Sequence, residues 1–502
     1  MVKTVEKTIN PADFRTITTG NEPRTNKVAK KMLISRFQNQ IKAGYDASKT
    51  TPDNKKLWAQ ALSGTPGQLM TEGDRRILRN RSRYEVRNNS YARGILDTLA
   101  NDTIGTGPRL QLLTKDKEFN REVELLFLQW TKDIRFAEKL RVMRISRAES
   151  GEVFMVFFNN LQAQNEVTLD VRNIEADFIT SPIVDLFDLN GFQNVDGVLV
   201  DNQGNERAYL ISDEANDLSG INFQSFKTKM LDASQVMHYV KRQRPGQIRG
   251  VPEITTSLPL FAQLRRYTLA VLASAETAAD FTVLIQSLLP PDGEPLPPPE
   301  EFDLIEIEKN TMMTLPEGWT ANQLRAEQPT TQYDIFLRAL IREIARPFSM
   351  PLNIALGDSS GSNFASGRLD HQGYFKQIKV ERSLIENIVL DPTFRQWILE
   401  AKQSFPLILS RLGGIKDVPH RWFWDGFEHI DPLKQIKALI AARDAGFRTD
   451  ASIIAELEGQ DWEETYIQTQ EERKLRKELG IPRREFKEEF FQDEGGADNA
   501  RD

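Results

Sequence analysis

The sequence predicts an α+β protein in which helices dominate, and three observations carry that prediction. Between residues 74 and 133 apolar positions recur at helical spacing, with cap residues between the runs. Between 151 and 241 short apolar or alternating runs follow one another, one pair joined by Asn-Gln-Gly-Asn, which reads as strands with a hairpin turn. Beyond 255 an alanine-rich run and several amphipathic runs are separated by prolines and glycines.

The 502 residues suffice for about two to four domains. At 39% hydrophobic they can bury a large core, and a net charge of -7 argues against a protein that grips DNA through global positive charge. The absence of cysteine excludes disulfides, thiol catalysis and thiolate metal sites. "MVKTVEKTINPADF" has no apolar signal core. The most apolar helical run, residues 269–285, carries Glu276 and Asp280, so no membrane segment is expected.

Residues 1–73 are polar and basic and read as an N-terminal arm lying over a surface or a neighbouring subunit. From Asp74 the pattern is helical. Asn88, Asn89 and Ser90 break one helix and cap the next, Ile95, Leu96 and Leu99 form its apolar stripe, and Gly105 and Gly107 stop it. Another helical stretch covers Lys117 to Asp133. Strands follow in "GEVFMVFF" (151–158), "EVTLDVRNI", "VDGVLVDNQGNERAYLIS" and "ASQVMHYVK", giving an α+β region over 74–254. "RPGQIRGVP" (244–252) is glycine-rich and basic but lacks the spacing of a phosphate loop, as does the rest of the chain, so it reads as a turn into a helix and gives no case for an ATPase motor.

That helix is expected over 255–287, rich in Ala270, Ala273, Ala275, Ala278 and Ala279. "LPPDGEPLPPPEEF" ends it, because proline removes the N–H donor and fixes φ. An insertion over 288–330 follows, with strand-like "FDLIEIE". Helix resumes over 331–350, where Ile335, Leu337, Leu340, Ile341 and Ile344 share one broad side and Arg338, Arg342 and Arg346 form a basic stripe. A Gly/Ser/Asn-rich loop is expected over 351–366. A long amphipathic helix then covers 367–403, with a short interruption at Asp391-Pro392-Thr393. Residues 404–486 read as a compact set of helices, with Asp431-Pro432 at a start and Gly446 at a stop, and 487–502 as a disordered tail.

Within the loop, Gly357 to Gly361 ("GDSSG") fits G-x-S-x-G, the nucleophile elbow of α/β-hydrolases, with Ser359 as the nucleophile. An elbow needs a preceding strand and a base within reach. Here a long helix and two prolines precede it. Of His238, His371, His420 and His429, the last two could follow the serine in hydrolase order, but both sit in aromatic-rich segments read as helical. No H-E-x-x-H and no histidine pair at helical ligand spacing occurs, so neither metal nor cofactor is expected. The acidic run 293–308 reads as a solvated surface.

Several segments together resemble the lambda-type portal proteins of tailed bacteriophages: "RSRYEVRNNSYARGILDTLANDTIGTG" (81–107), "GEVF" (151–154), "IEADFI" (174–179), "RPGQIRGVP" (244–252), "MPLNIALGDSSGSNFASGR" (350–368) and "WFWDGFEHIDPLKQIKALIAARDAG" (422–446). The resemblance spans roughly residues 45–480 and implies a dodecameric ring at one capsid vertex of the virion, through which double-stranded DNA enters and leaves. It implies a wing over 74–254, a first stem helix over 255–287, a clip over 288–330, a second stem helix over 331–350, a tunnel loop over 351–366, a long wing helix over 367–403 and crown helices over 404–486. Implied partners are further copies of the chain, the terminase large subunit, a head–tail connector and the major capsid or scaffold protein, with assembly in the host bacterial cytoplasm and no enzymatic activity. Where the family often has Asn-Tyr-Ser-Ser, this chain has Asn363-Phe364-Ala365-Ser366.

A DNA channel must not trap its cargo, since each phosphate neutralised by lysine or arginine deepens binding. Gly357, Ser359, Ser360, Gly361, Ser362 and Asn363 offer neutral contacts, and Asp358 would repel phosphate. Arg338, Arg342 and Arg346 can face the lumen as basic rings or pair with Glu276 or Asp280 of a neighbouring subunit. The pairing is favoured because stacked basic rings would slow transit. The alternatives are a serine hydrolase built on Ser359 and a structural adaptor without DNA contact.

Overall fold

The computed structural model describes residues 56, 59, 61–162, 165–181, 191–212, 228–279, 283–287, 319–323, 330–360, 364–412, 418–427, 432–458 and 462–481. Asp280, Gly361, Ser362, Asn363, His429, the strand-like segment 302–308 and the tail 487–502 lie outside them. The chain divides into two units, Met1–Gly64 and Thr65–Asp502, and every described helix and strand belongs to the second. The arm expected over 1–73 therefore ends earlier. Thr65 and Thr71 close capping boxes that start α1 (Pro66–Leu69) and α2 (Glu72–Asn88).

The first helices form where the sequence places them. The Asn89 side chain accepts from the N–H groups of Tyr91 and Ala92 and starts α3 (Ser90–Ile104), and Gly105 caps its end at φ 58°. Strand β1 (Arg109–Leu112) leads to α4 (Lys117–Asp133), whose Phe119, Val123, Phe127 and Trp130 are buried. Helix α5 (Phe136–Ser150) is an element the sequence reading lacks. Its buried side mixes Leu140, Met143 and Ala148 with Arg144 and Arg147, so no apolar stripe announces it.

Two antiparallel sheets follow. Strands β2 (Glu152–Asn159), β3 (Leu169–Glu175) and β8 (Val236–Val240) are ordered β3-β2-β8, with Phe154 opposite His238. Strands β4 (Gln193–Val195), β5 (Val198–Val200), β6 (Glu206–Ser212) and β7 (Thr228–Asp232) pair in sequence order. The expected hairpin joins β5 to β6, with Gly204 at φ 84°. Phe154, Val156, Val198, Val200, Tyr209 and Ile211 pack between the sheets.

The helix expected over 255–287 is shorter. A 3-10 turn, Glu253–Ser257, leads into α6 (Leu258–Ala279). Val283–Ser287 is instead strand β9, antiparallel to β10 (Trp319–Gln323). A local apolar reading cannot distinguish a short strand from helix, and the partner strand lies beyond the proline-rich segment. Helix α7 covers Thr330–Ala345, followed by a 3-10 turn over Arg346–Phe348. The loop expected over 351–366 is also shorter. Its first part is α8 (Leu352–Leu356), ended by Gly357 at φ 70°, and α9 (Phe364–Ile385) takes its last residues.

The interruption expected at Asp391-Pro392-Thr393 does not break the chain. A π turn, Glu386–Leu390, carries α9 straight into α10 (Asp391–Ser404), with Pro392 in the first turn of α10. A short α11 (Pro406–Leu409) follows. The C-terminal region is not wholly helical as expected, because His420–Phe423 is β11, antiparallel to β1. Its cross-strand partners lie about 310 residues upstream, invisible to local periodicity. Helices α12 (Pro432–Asp444), α13 (Asp450–Glu458) and α14 (Trp462–Glu478) complete the set, with Gly446 at φ 76° after α12.

Two helical cores organise the unit. In one, Ile95, Leu96 and Leu99 of α3 meet Phe261 and Leu264 of α6, Ile341 and Ile344 of α7, and Tyr374 and Ile378 of α9. In the other, Phe127 and Trp130 meet Phe394 and Trp397, with Phe127 edge-on to Trp397 at 5.1 Å. Burying each such large side chain contributes about 1.5–3 kcal/mol. Among the described residues no helix is long and apolar enough to cross a membrane.

Candidate nucleic-acid interface

The loop base is built by three helices. Helix α8 lies beside α7, and Asn353 of α8 hydrogen-bonds His371 of α9 at 2.9 Å. After Gly357, Asp358 donates its N–H to the Asn353 carbonyl at 3.2 Å. Its Oδ1 accepts the Ser360 N–H at 2.8 Å and its Oδ2 accepts from Arg338 Nη2 at 2.7 Å. Arg338 Nε also donates to Asp334 one helical turn earlier at 2.7 Å. The Ser360 backbone and hydroxyl, then the Arg338 guanidinium, hold the Asp358 carboxyl at about 2, below the usual carboxylate range. Asp358 is therefore an ionised but neutralised acid, and within its own chain Arg338 pairs with Asp334 and Asp358.

Ser359, Ser360, Arg342, Arg346 and Glu276 are exposed. Ser359 does not sit on an elbow: helix α8, not a strand, precedes it. Each described histidine has partners other than Ser359. His371 bonds Asn353, His420 bonds Asp391 and the Val418 carbonyl, and His238 lies between Glu152 and Glu206. His420 stands on a strand rather than in the helical surroundings expected.

The distal halves of α6 and α7 stand clear of the core. Tyr267 stacks on Tyr333 with centroids 5.7 Å apart and holds the two helices together. Beyond that contact on α6, Leu269 (60%) and Leu272 (55%) are solvent-exposed, as are Ile335 (68%) and Phe336 (45%) on the core side of it on α7, where Phe336 also touches Tyr267.

The root of α6 is held by two buried charge knots that the sequence reading missed. In the first, Glu152 of β2 accepts from Arg249 Nε at 2.8 Å, from the Gly250 N–H at 2.7 Å and from His238 Nε2 at 3.1 Å. Arg249 also donates to the carbonyls of Ala176 and Ile179, each at 3.1 Å. In the second, Glu253 accepts from Arg144 Nη1 at 2.8 Å, Arg147 Nε at 3.1 Å and Lys241 Nζ at 3.3 Å. Arg147 reaches on to Glu381 of α9 at 2.6 Å, whose other oxygen accepts the Tyr239 hydroxyl. Burial alone would raise both Glu152 and Glu253. Arg249 and His238 in the first case, and Arg144, Arg147 and Lys241 in the second, outweigh it and hold both below the usual range. The segment Arg249–Glu253 is thus pinned from both sides. The available signal was a glutamate inside the apolar run "GEVF" and an acid closing "RGVPE".

His238 faces a carboxylate on each ring nitrogen, at 3.1 Å each, and stacks on Phe154 with centroids 4.3 Å apart. Carboxylates only accept, so both nitrogens donate and the ring is imidazolium. Burial opposes that charge, but the bonds to Glu152 and Glu206 outweigh it and raise the pKa above 6.5. Burial would likewise raise Glu206, but His238 and the Tyr209 hydroxyl bring it down to about 2 from 4.5. The Glu206 contribution is present above pH 4.5 and lost as pH falls towards 2. The His238 contribution is full below pH 6.5 and lost as pH rises through its raised pKa. The urea midpoint of the parent protein is therefore expected to fall between pH 6 and 9, and His238→Gln is expected to flatten that fall. Equal slopes in the two proteins contradict the assignment.

The family described as phage portal protein, lambda family, matches residues 54–382. The chain belongs to this family. The portal match covers about two thirds of the chain and contains α2 to Arg382 of α9, with both charge knots and the Arg338–Asp358 pair. A probable portal protein of Halomonas phage phiHAP-1 is 25% identical over 449 residues, covering 82% of each chain. Among solved structures, a chain from the neck of an empty GTA particle (C6 symmetry) matches at TM-score 0.42 and 13% identity, over 81% of this chain and 99% of that one. One from the neck of a native GTA particle (C12 symmetry) matches at TM-score 0.41 and 12% identity over the same shares.

Proposed function

We propose that this portal protein forms a ring, a dodecamer, at one capsid vertex of the virion, through which double-stranded DNA is packaged and ejected. The family match over residues 54–382 carries the reading. In it, α6 and α7 are the stem, the segment between them containing β9 and β10 is the clip, residues 357–363 with α8 are the tunnel loop, and α9–α10 are the long wing helix. Four large apolar side chains exposed on the α6–α7 pair support it, since such a cluster is accounted for by a partner, here the next copy. The clip takes the terminase large subunit and then the head–tail connector, the wing contacts the major capsid or scaffold protein, and the ring assembles in the host bacterial cytoplasm.

Negative-stain images of the purified protein test the ring. A closed ring with a central hole wide enough for a duplex is expected, and monomers or solid discs contradict it. The loop chemistry is tested separately. Ser359→Ala is expected to leave DNA packaging within about twofold of the parent. Ser359→Lys with Ser360→Lys is expected to slow passage and make it more salt-dependent, because each added cation retains phosphate. Loss of packaging on Ser359→Ala, or covalent labelling of Ser359 by a fluorophosphonate, would contradict this role.

A further inference from the structure

The loop base contains an ionic contact that ties it to one helix of its own chain. Arg338 is on α7, two turns before the helix ends, and Asp358 is the residue after the Gly357 cap of α8. Arg338 donates to Asp358 and Asp334, both at 2.7 Å, so one guanidinium is shared by two carboxylates. Asp358 is also held by bonds of its own, its N–H by the Asn353 carbonyl and its second oxygen by the Ser360 N–H. The side chains remain partly open to solvent, Arg338 at 26% and Asp358 at 39%. A pair of that kind is weak and sensitive to salt. Weakness suits a segment that has to yield.

We propose that Arg338 and Asp358 form a salt-sensitive latch, made within one subunit, that holds the base of the tunnel loop on the second stem helix and releases it when the pair is screened or displaced. The proposal rests on the portal reading for its purpose, but the latch itself is a property of the single chain. Its chemistry names the competitor. A guanidinium that binds a carboxylate oxygen binds a phosphate oxygen in the same geometry. A duplex backbone brought close to α7 would therefore compete with Asp358 for Arg338, freeing the loop where DNA is present. Asp334 remains on Arg338 throughout and keeps the site from becoming a bare cation that would retain the duplex.

Amide hydrogen exchange of the purified full-length protein, read over residues 352–360, tests the latch. In the parent, exchange at Gly357, Asp358 and Ser360 is expected to quicken about two- to fivefold between low salt and 1 M salt. Arg338→Gln is expected to show the fast rate at every salt concentration, with α2 and α3 as protected as in the parent. Reversing both charges, Arg338→Asp with Asp358→Arg and Asp334→Ala to remove the like charge, is expected to restore slow, salt-sensitive exchange at positions 357 and 358, but not at Ser360, whose acceptor is lost. A short double-stranded oligonucleotide at low salt is expected to quicken the same amides in the parent and leave Arg338→Gln unchanged. Exchange in the parent that ignores salt, or Arg338→Gln rates equal to the parent's at low salt, overturns the latch, whether or not rings form. Salt-sensitive exchange that the oligonucleotide does not alter overturns the phosphate competition. Images without a DNA-wide ring overturn the portal reading and leave the exchange result standing.

Discussion

Glu253→Ala is expected to cost about 3–5 kcal/mol of stability, more than any other single side-chain truncation at the root of α6. Glu253 is fully enclosed and faces Arg144, Arg147 and Lys241. Its removal leaves two guanidiniums in the interior with only Glu381 against them, and a buried charge without its partner is far more costly than the pair was favourable. Urea unfolding at pH 7 measures the loss, and a midpoint equal to the parent's contradicts it. A second variant separates the cost of breaking the knot from its net worth. Replacing Arg144, Arg147, Glu253 and Glu381 together by Met, Leu, Leu and Met removes the buried charges of this knot at once and leaves only Lys241, which is 34% exposed. It is expected to recover most of the stability lost in Glu253→Ala, because no buried charge of this knot is then left without its partner.

Gly250→Ala is expected to be the next most damaging change, and Gly151→Ala to resemble it. The two glycines lie against each other. A Cβ on Gly250 would stand 2.3 Å from the Gly151 carbonyl oxygen, and one on Gly151 would stand 2.6 Å from the Val251 carbonyl carbon. Both obstacles are backbone, which cannot rotate away as a side chain can. Gly151 also holds φ 95°, a conformation that an L side chain rarely adopts. Each substitution is expected to lose about 2–4 kcal/mol, combining overpacking with backbone strain at Gly151. The same displacement would pull the Gly250 N–H off Glu152. Thermal unfolding of Gly250→Ala beside a control at Gly94, where a Cβ meets no atom within 4 Å and φ is not positive, measures the packing part. Equal effects at Gly250 and Gly94 contradict the close approach.

Much of the architecture can be read from the chain because its signals are local. Asn89 caps α3, Lys117–Asp133 is a helix to the residue, and the 202–205 turn closes a hairpin, each specified by neighbours within a few positions. What the sequence hides is what depends on distant partners. Helix α5 is invisible to an apolar-stripe reading because Arg144 and Arg147 occupy its buried side and are neutralised by Glu253 and Glu381, more than a hundred residues away. Strand β9 and strand β11 each read as helix until β10 and β1 are placed beside them. At the candidate site the GDSSG stretch is plain in sequence, but the meaning of Asp358 is not. Its charge reads as repulsive alone and neutralised only once Arg338 is found within reach.

The π turn at Glu386–Leu390 has a mechanical meaning beyond continuity. Tyr374 and Ile378, upstream of it, belong to the core around α3, whereas Phe394 and Trp397, downstream, belong to the core around α4. An extra residue in one turn rotates everything beyond it by roughly 100° about the axis. The second core takes over at Ile385, just before the turn, so a single rod serves both cores without a break. The same widened turn makes room for the Pro392 ring, which would otherwise press on the Ile388 carbonyl. Like an axle carried in two bearings, the rod ties the core beside the loop to the core around α4 through continuous helical backbone.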